Sequence, residues 1–473
     1  MVRRVIITPW FDTRATGGGA RFSVEAAQFW LLRGDEVHIL SSDSRRTITG
    51  FEPFLSSGRL QIHQVSKADR MHLAQAFDPE VYQAAKSVLA EFEPESIHIH
   101  NFHGLIGAVC AAVDSDAPTI YLAHDFGLLC MSWCLYDGTL TPCSGPEPSK
   151  CRACLRRNFP LSLGARLAKH LPGWLVRLVR PGVDVRHYQR LEETRRFYED
   201  VELHLGQTMG LLKRFDAIVA TSPLMARVLI QHGAPPDRVK TLACGVSRRK
   251  QIGRARAPRA SQAPLRLAFL GYASDVKGLP VVAKALAGLP PDLQLSVTAY
   301  GGGCEWFVKR APRSVRRYLR AGPLLIDGQV GEELARTDGV LVPSLWHENA
   351  PAVVLEALAS GVPVIASRQA GITHLIAHEE NGFLVPPGDV EGWRAVLHRL
   401  AQDPEILRRM SPNCRYERTD EDFCRDLEGV VASVHNWWAR AEACSKSAEA
   451  LVVNSPNRRI TRPSRRNSSN GKG

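Results

Sequence analysis

Short apolar runs recur along the chain, each followed by a longer stretch with helical spacing of its apolar residues. Residues 5–8, 36–40, 96–100, 119–122 and 216–220 form a first set of strand-like runs. A second set comprises residues 265–270, 294–298, 339–342 and 363–366, with helical patterning continuing to about Arg440. Alternating strand and helix patterns are the signature of parallel sheets built from βαβ units. Between the sets, residues 247–263 are basic, contain Pro, Gly and Ser and lack apolar periodicity, which reads as a linker. The pattern predicts an α/β chain of two doubly wound, Rossmann-like domains facing across a cleft, over residues 1–250 and 262–443. In such sheets ligands sit beyond the carboxyl ends of the strands, so the cleft is the expected site.

A length of 473 residues agrees with this division, since one ordinary core does not grow that large. The apolar fraction of 44% and charged fraction of 23% are those of a globular protein. The start has neither a long apolar run nor a small-residue cleavage site, and no run is long enough to span a bilayer. The expected location is cytoplasmic, with peripheral contact at the inner membrane face left open by the basic excess. Six of the net +12 charges lie after Asn454, on Arg458, Arg459, Arg462, Arg465, Arg466 and Lys472. Residues 444–473 are accordingly expected to be a disordered basic tail, poor in apolar side chains. It serves either an anionic membrane surface or solubility alone. Nucleic acid is not an expected partner, because no basic face with interleaved aromatics is visible. Residues 161–212 contain basic amphipathic stretches with Trp174, suited to packing on the domain or to lying on lipid.

Chemistry concentrates between Val342 and Ala366. An apolar strand ends at Pro343, a polar loop follows, a helix begins near Pro351 and ends at Gly361, and another apolar strand resumes. The amino end of that helix offers unpaired N–H groups and the positive end of its dipole to a diphosphate. Glu348 precedes this end. Glu356 lies about one and a half turns, roughly 8 Å, further along. One carboxylate can meet the sugar of a donor while the other accepts from ribose hydroxyls.

This segment resembles the Glu-x7-Glu motif of the retaining family 4 glycosyltransferases of the two-domain GT-B fold. Pro343-Ser344, Glu348-Asn349, Glu356-Ala357 and Gly361-x-Pro363-Val364 all match its context. The resemblance implies donor contacts at Asn349, Ala350, Ala352, Val353 and Glu356. It gives Glu348 a catalytic role at the transferred sugar. Residues 269–278 resemble the family's phosphate-binding loop, which implies that Lys277 contacts the diphosphate; Tyr272 stands where many members have Arg. Residues 17–22 resemble its Gly-rich turn, which implies that Gly18 and Gly19 approach the donor phosphates or the acceptor. Residues 370–374 replace the usual Gly-Gly-Ile-x-Glu, with His374 at the acidic position. His124, at the end of an N-terminal strand, is implied to touch the sugar from across the cleft. His100 and His103 are placed similarly and read equally well as core or rim residues.

Five cysteines fall between residues 130 and 154, including one Cys-x2-Cys pair. In a cytosolic chain such a cluster reads as a metal site more readily than as disulfides, with zinc on four thiolates the simplest form. Redox-labile or merely packed thiols are the other reading. Cys130, Cys143, Cys151 and Cys154 resemble the pattern of a family 4 subset, and Cys134 departs from it. A structural zinc would fix an acceptor-side loop; transfer itself needs no cofactor. The expected reaction moves a hexose-type sugar from a UDP- or GDP-linked donor to a hydroxyl acceptor, possibly lipid-linked, in glycan or glycolipid synthesis. A sugar-nucleotide epimerase of the same shape, or a silent sugar-nucleotide binder, are the rival readings.

Overall fold

The computed structural model describes residues 1–12, 18–42, 49–65, 77–137, 143–158, 201–247, 263–325 and 329–453. The amphipathic stretch before residue 201, the linker from 248 to 262 and the tail from 454 onward lie outside these residues. Strands β1 (Arg3–Ile7), β2 (Glu36–Ser41), β3 (Leu60–Gln64), β4 (Ser96–Ile99), β5 (Thr119–Ala123), β6 (Ala217–Ala220) and β7 (Val239–Thr241) form one sheet. Its order is β3-β2-β1-β4-β5-β6-β7, with every pairing parallel. The second sheet holds β8 (Leu265–Leu270), β9 (Leu295–Tyr300), β10 (Leu319–Ala321), β11 (Gly339–Val342), β12 (Val364–Ser367) and β13 (Gly382–Val385). Its order is β10-β9-β8-β11-β12-β13, again all parallel.

The central strands are buried along their whole length, which is why β6, β11 and β12 read as nearly unbroken apolar runs, while β4 (SIHI) buries Ser96 and His98 as well. Each fully buried Ile, Leu or Phe contributes roughly 1.5–3 kcal/mol of transfer free energy, so these strands carry much of each core. The order reverses between β1 and β4 in the first sheet and between β8 and β11 in the second. Ligand crevices open at such switch points. Here they face each other.

The helices that shape the cleft are α1 (Gly18–Leu32), α2 (Pro148–Asn158), α3 (Pro223–Gln231), α4 (Leu279–Ala287), α5 (Cys304–Arg310), α6 (Arg313–Arg316), α7 (Ala352–Ala359) and α8 (Asp420–Val453). Sequence pattern assigns the last of these to the second domain and ends it near 443. Instead α8 crosses back and packs on the first. Phe423, Leu427, Val431 and Val434 share a core with Phe22 and Trp30. Glu428 accepts from Arg4 and from the Trp30 indole at 3.0 and 2.6 Å. The helix continues to Val453, beyond the point at which a disordered tail is expected. The chain leaving the first domain at Val246 pairs with the chain returning at Thr419.

Candidate functional site

The two loops after β8 and β11 meet beyond the second sheet's switch point. Leu345 N–H donates to the Val276 carbonyl at 2.8 Å, and the Gln369 amide donates to the Leu345 carbonyl at 2.9 Å. Two glycines permit this closeness. A Cβ on Gly278, whose φ is 75°, would overlap the Pro343 carbonyl oxygen, and one on Gly371 would overlap that of Glu348. The loop carrying the first glutamate is therefore held from both sides by backbone that only glycine allows.

Inside this frame the Lys277 ammonium donates to Glu348 Oε1 at 2.8 Å, and the Ser344 hydroxyl donates to the same oxygen at 2.6 Å. Lys277 also lies 4.6 Å from the Trp346 ring centre. Burial pushes the Glu348 carboxyl up, but Lys277 and Ser344 outweigh it and hold it below the usual carboxylate range. Glu348 is thus a buried, ionised acceptor beside an accessible cation. Tyr272 lies earlier in the β8 loop with its ring against Gly302. In α7 the first-turn N–H groups of Ala352 and Val353 precede any possible intrahelical acceptor. Pro351 occupies the cap with extended ψ.

Glu356, one and a half turns into α7, is not left to solvent. Arg21, from α1 of the first domain, donates to its Oε1 at 3.0 Å. The same guanidinium reaches the Gly245 carbonyl at 2.9 Å and Asp420 at 3.1 Å. Burial disfavours the charge on Arg21, yet Asp420 and Glu356 outweigh it and raise its pKa. Gly18 and Gly19 open α1, and a Cβ on Gly19 would stand 2.7 Å from the Asn101 amide nitrogen. Sequence reasoning passed over Arg21, although its place directly after the Gly-rich turn was a signal.

Asn349 is the second crossing. Its amide nitrogen donates to the Ala123 carbonyl at 3.0 Å and to the Thr221 hydroxyl at 2.6 Å, while its oxygen accepts from Ser222. Ser222 also caps α3 through Met225 N–H, with Pro223 in the first turn. The Asn349 side chain therefore ties the loop after β11 to the ends of β5 and β6. Ala350 packs beside the core that contains Phe22 and Phe423. Thr221 and Ser222 were also missed; a Ser-Pro helix start was the available signal.

His124 stands at the end of β5, its ring parallel to Phe22 at 5.2 Å and hydrogen-bonded to His100 at 3.2 Å. Burial pushes its pKa down to about 4; Asp125 opposes this and Arg21 reinforces it. His124 is neutral near pH 7 and hydrogen-bonds without acting as a cation. Asp125 turns away to His103 at 3.3 Å. The unfolded side chain, near 6.5, binds a proton that the folded one refuses. Stability from this residue is complete above pH 6.5 and is lost as pH falls from there towards 4. Denaturant melts at pH 7.5 and pH 5 should show His124→Asn less sensitive to acid than wild type; equal slopes would refute the assignment.

The zinc expected on Cys130, Cys143, Cys151 and Cys154 has no preassembled site among the described residues. Among the described residues no group of three or more His, Cys, Asp or Glu side chains is placed to hold a metal. The thiols make local contacts instead: Cys130 with Ser132 at 3.3 Å, Cys143 with the Gly145 carbonyl at 3.5 Å, and Cys154 with that of Tyr136 at 3.7 Å. Burial pushes Cys154 up to about 11, with Cys130, Cys143 and Cys151 adding to it, and burial raises Cys151 as well. The four thiols thus lie near enough to influence one another's ionisation, and a zinc ion held by them would displace their protons on binding. Trp133 and Leu135 take left-handed φ of 65° and 45°. This shape brings Cys134 and Tyr136 into the core of the second domain, beside Leu345. The segment is a packing strap across the cleft.

Comparison with known proteins agrees with this geometry. Residues 16–250 match the family described as Glycosyltransferase Family 4, and residues 264–403 match Glycosyl transferases group 1. The D-inositol 3-phosphate glycosyltransferase of Saccharomonospora viridis is 33% identical over 221 residues, covering 42% of this chain and 51% of that protein. The amylovoran biosynthesis glycosyltransferase AmsK of Erwinia amylovora is 26% identical over 240 residues, 47% of this chain and 54% of its own length. The chain thus spans about half the length of these relatives. In fold it is similar to WaaG, a glycosyltransferase involved in lipopolysaccharide biosynthesis, at a TM-score of 0.60 and 17% identity, covering 90% of this chain and 99% of that one. Anabaena Alr3699/HepE, solved with UDP and glucose, gives 0.59 at 14% identity over 92% of this chain and 100% of its own. Two facing parallel sheets with such neighbours are the GT-B fold.

Proposed function

The chain belongs to glycosyltransferase family 4, and from that premise we propose that it moves a hexose-type sugar, with retention, from a nucleoside diphosphate to a hydroxyl acceptor. The observation that carries this reading is the Lys277–Glu348 pair at the second sheet's switch point. Lys277 is part-exposed and free to swing from Glu348 to an entering diphosphate. Glu348, ionised and fixed by Ser344, accepts from hydroxyls of the sugar. The α7 N-terminus offsets charge developing on the leaving group. Glu356, oriented by Arg21, accepts from the ribose. UDP in the HepE structure supports a uridine donor; guanosine is the second choice.

Retention follows a front-face course. The bond from the anomeric carbon to the diphosphate oxygen breaks with its electron pair leaving on the diphosphate. The acceptor oxygen forms its bond on the same face, and its proton passes to the departing phosphate oxygen. Neutral His124 hydrogen-bonds the sugar from the first domain. The relative in amylovoran biosynthesis supports an acceptor in polysaccharide synthesis, and the proposed acceptor is a hydroxyl carried on a lipid.

Thermal shift against uridine, guanosine and adenosine diphosphate sugars tests the donor. A ligand at a hundredfold excess over its Kd stabilises by about 2.7 kcal/mol, so one nucleotide class should raise Tm by a few degrees. Acceptor-dependent product must then appear. Interconversion of free donor without acceptor would identify an epimerase, and binding without either reaction a silent binder.

A further inference from the structure

Three large exposed side chains follow the carboxyl ends of three neighbouring strands. Tyr272 comes after β8, Trp306 after β9 and Leu324 after β10, at 63%, 60% and 66% exposure. Because β8, β9 and β10 are adjacent and parallel, the three lie along one rim of the cleft. Lone exposed apolar residues need no explanation; a row at a site entrance does.

The face below this rim is strongly basic. Residues 305–320 carry six cations and one carboxylate. That carboxylate, Glu305, is taken by Lys309 at 2.6 Å. Arg310, Arg313, Arg316, Arg317 and Arg320 are exposed, and among the described residues none of them is paired with an acid. Arg310 stacks 4.1 Å from the Trp306 ring centre, which presents the cation and the indole together. Helix α5 packs beside β10, the edge strand, and α6 leads into it. Protecting a sheet edge from pairing explains a charge on β10 itself. It explains Arg320 and leaves the other four arginines, Trp306 and Leu324 without a reason.

We propose that this outer edge of the second domain docks on an anionic lipid surface. Trp306 and Leu324 enter the headgroup region, where amphipathic rings and apolar side chains gain most. The arginines meet lipid phosphates below them, each adding attraction that decays within a Debye length. Docked this way, the rim of the cleft lies at the membrane, where a lipid-carried hydroxyl enters directly. The inference rests on the lipid-linked acceptor proposed above for its purpose, but vesicle binding needs neither donor nor turnover, so either can fail without the other.

The test is co-sedimentation of the full chain with vesicles of phosphatidylcholine alone or mixed with phosphatidylglycerol. Wild type should bind only the mixed vesicles and be released by high salt. Both Arg316→Glu/Arg317→Glu and Trp306→Ser/Leu324→Ser should lower the apparent partition coefficient at least tenfold. Unchanged melting and an unchanged donor thermal shift would show that fold and donor site survive. The proposal is overturned if wild type ignores phosphatidylglycerol. It is overturned equally if both variants bind as wild type does, which would move binding to the basic tail or to residues before 201. Loss in the charge variant alone, or retention on a sulfated polysaccharide resin without vesicle binding, would identify a general polyanion site instead.

Discussion

Glu348→Gln is expected to lower kcat/KM by about 10²–10³, roughly 3–4 kcal/mol of transition-state stabilisation. The substitution keeps shape and removes the charge that Lys277 and Ser344 converge on. A neutral amide can still sit between them, so donor affinity should change far less than turnover. Single-turnover transfer measured beside the donor thermal shift separates the two quantities. Transfer within threefold of wild type would remove Glu348 from the reaction. The magnitude follows from where the carboxylate lies. It is buried, ionised and fixed before substrate arrives, so little reorganisation is left to the reacting complex.

Arg21→Met is expected to have the largest effect on stability. It leaves the carboxylates of Glu356 and Asp420 buried in the cleft without their shared cation. Breaking a buried ion network by removing one partner costs about 3–5 kcal/mol, most of it the price of stranded charge. Denaturant unfolding should show that loss, and adding Glu356→Gln to Arg21→Met should return part of it. The double-mutant cycle matters because a mere packing defect would not be rescued by neutralising the acid. If both variants lose the same amount, Arg21 is a core spacer and Glu356 is held by something else.

The interior strands of both sheets were legible in the sequence because burial on both faces keeps them rich in Ile, Val, Leu and Ala. The edges were not. β3 (LQIHQ) mixes polar and apolar residues, β7 (VKT) and β10 (LRA) are three residues long, and β13 follows directly on Asn381. Segments that short carry no readable period. Glu348, Lys277 and Glu356 were found because the strand, loop and helix around them leave a recognisable spacing. Arg21 and the Thr221–Ser222 pair escaped because their partners lie between 127 and 399 residues away in sequence, and pairing at that distance leaves no local pattern. The cysteines were legible as a cluster, and their sulfurs do lie near one another. The left-handed turns at Trp133 and Leu135, which pack the segment across the cleft, left no signal in the sequence.

The return of α8 to the first domain has a consequence for how the polypeptide is made. Trp30 and Phe22 share their core with Phe423, Leu427 and Val431, residues translated only after the whole second sheet. A nascent chain ordinarily completes its amino-terminal domain while the next is still being translated. Here the first domain waits with an apolar flank uncovered through synthesis of the entire second one. Only the emergence of α8 covers that flank, so completion of the first domain and of the cleft waits on translation of the second.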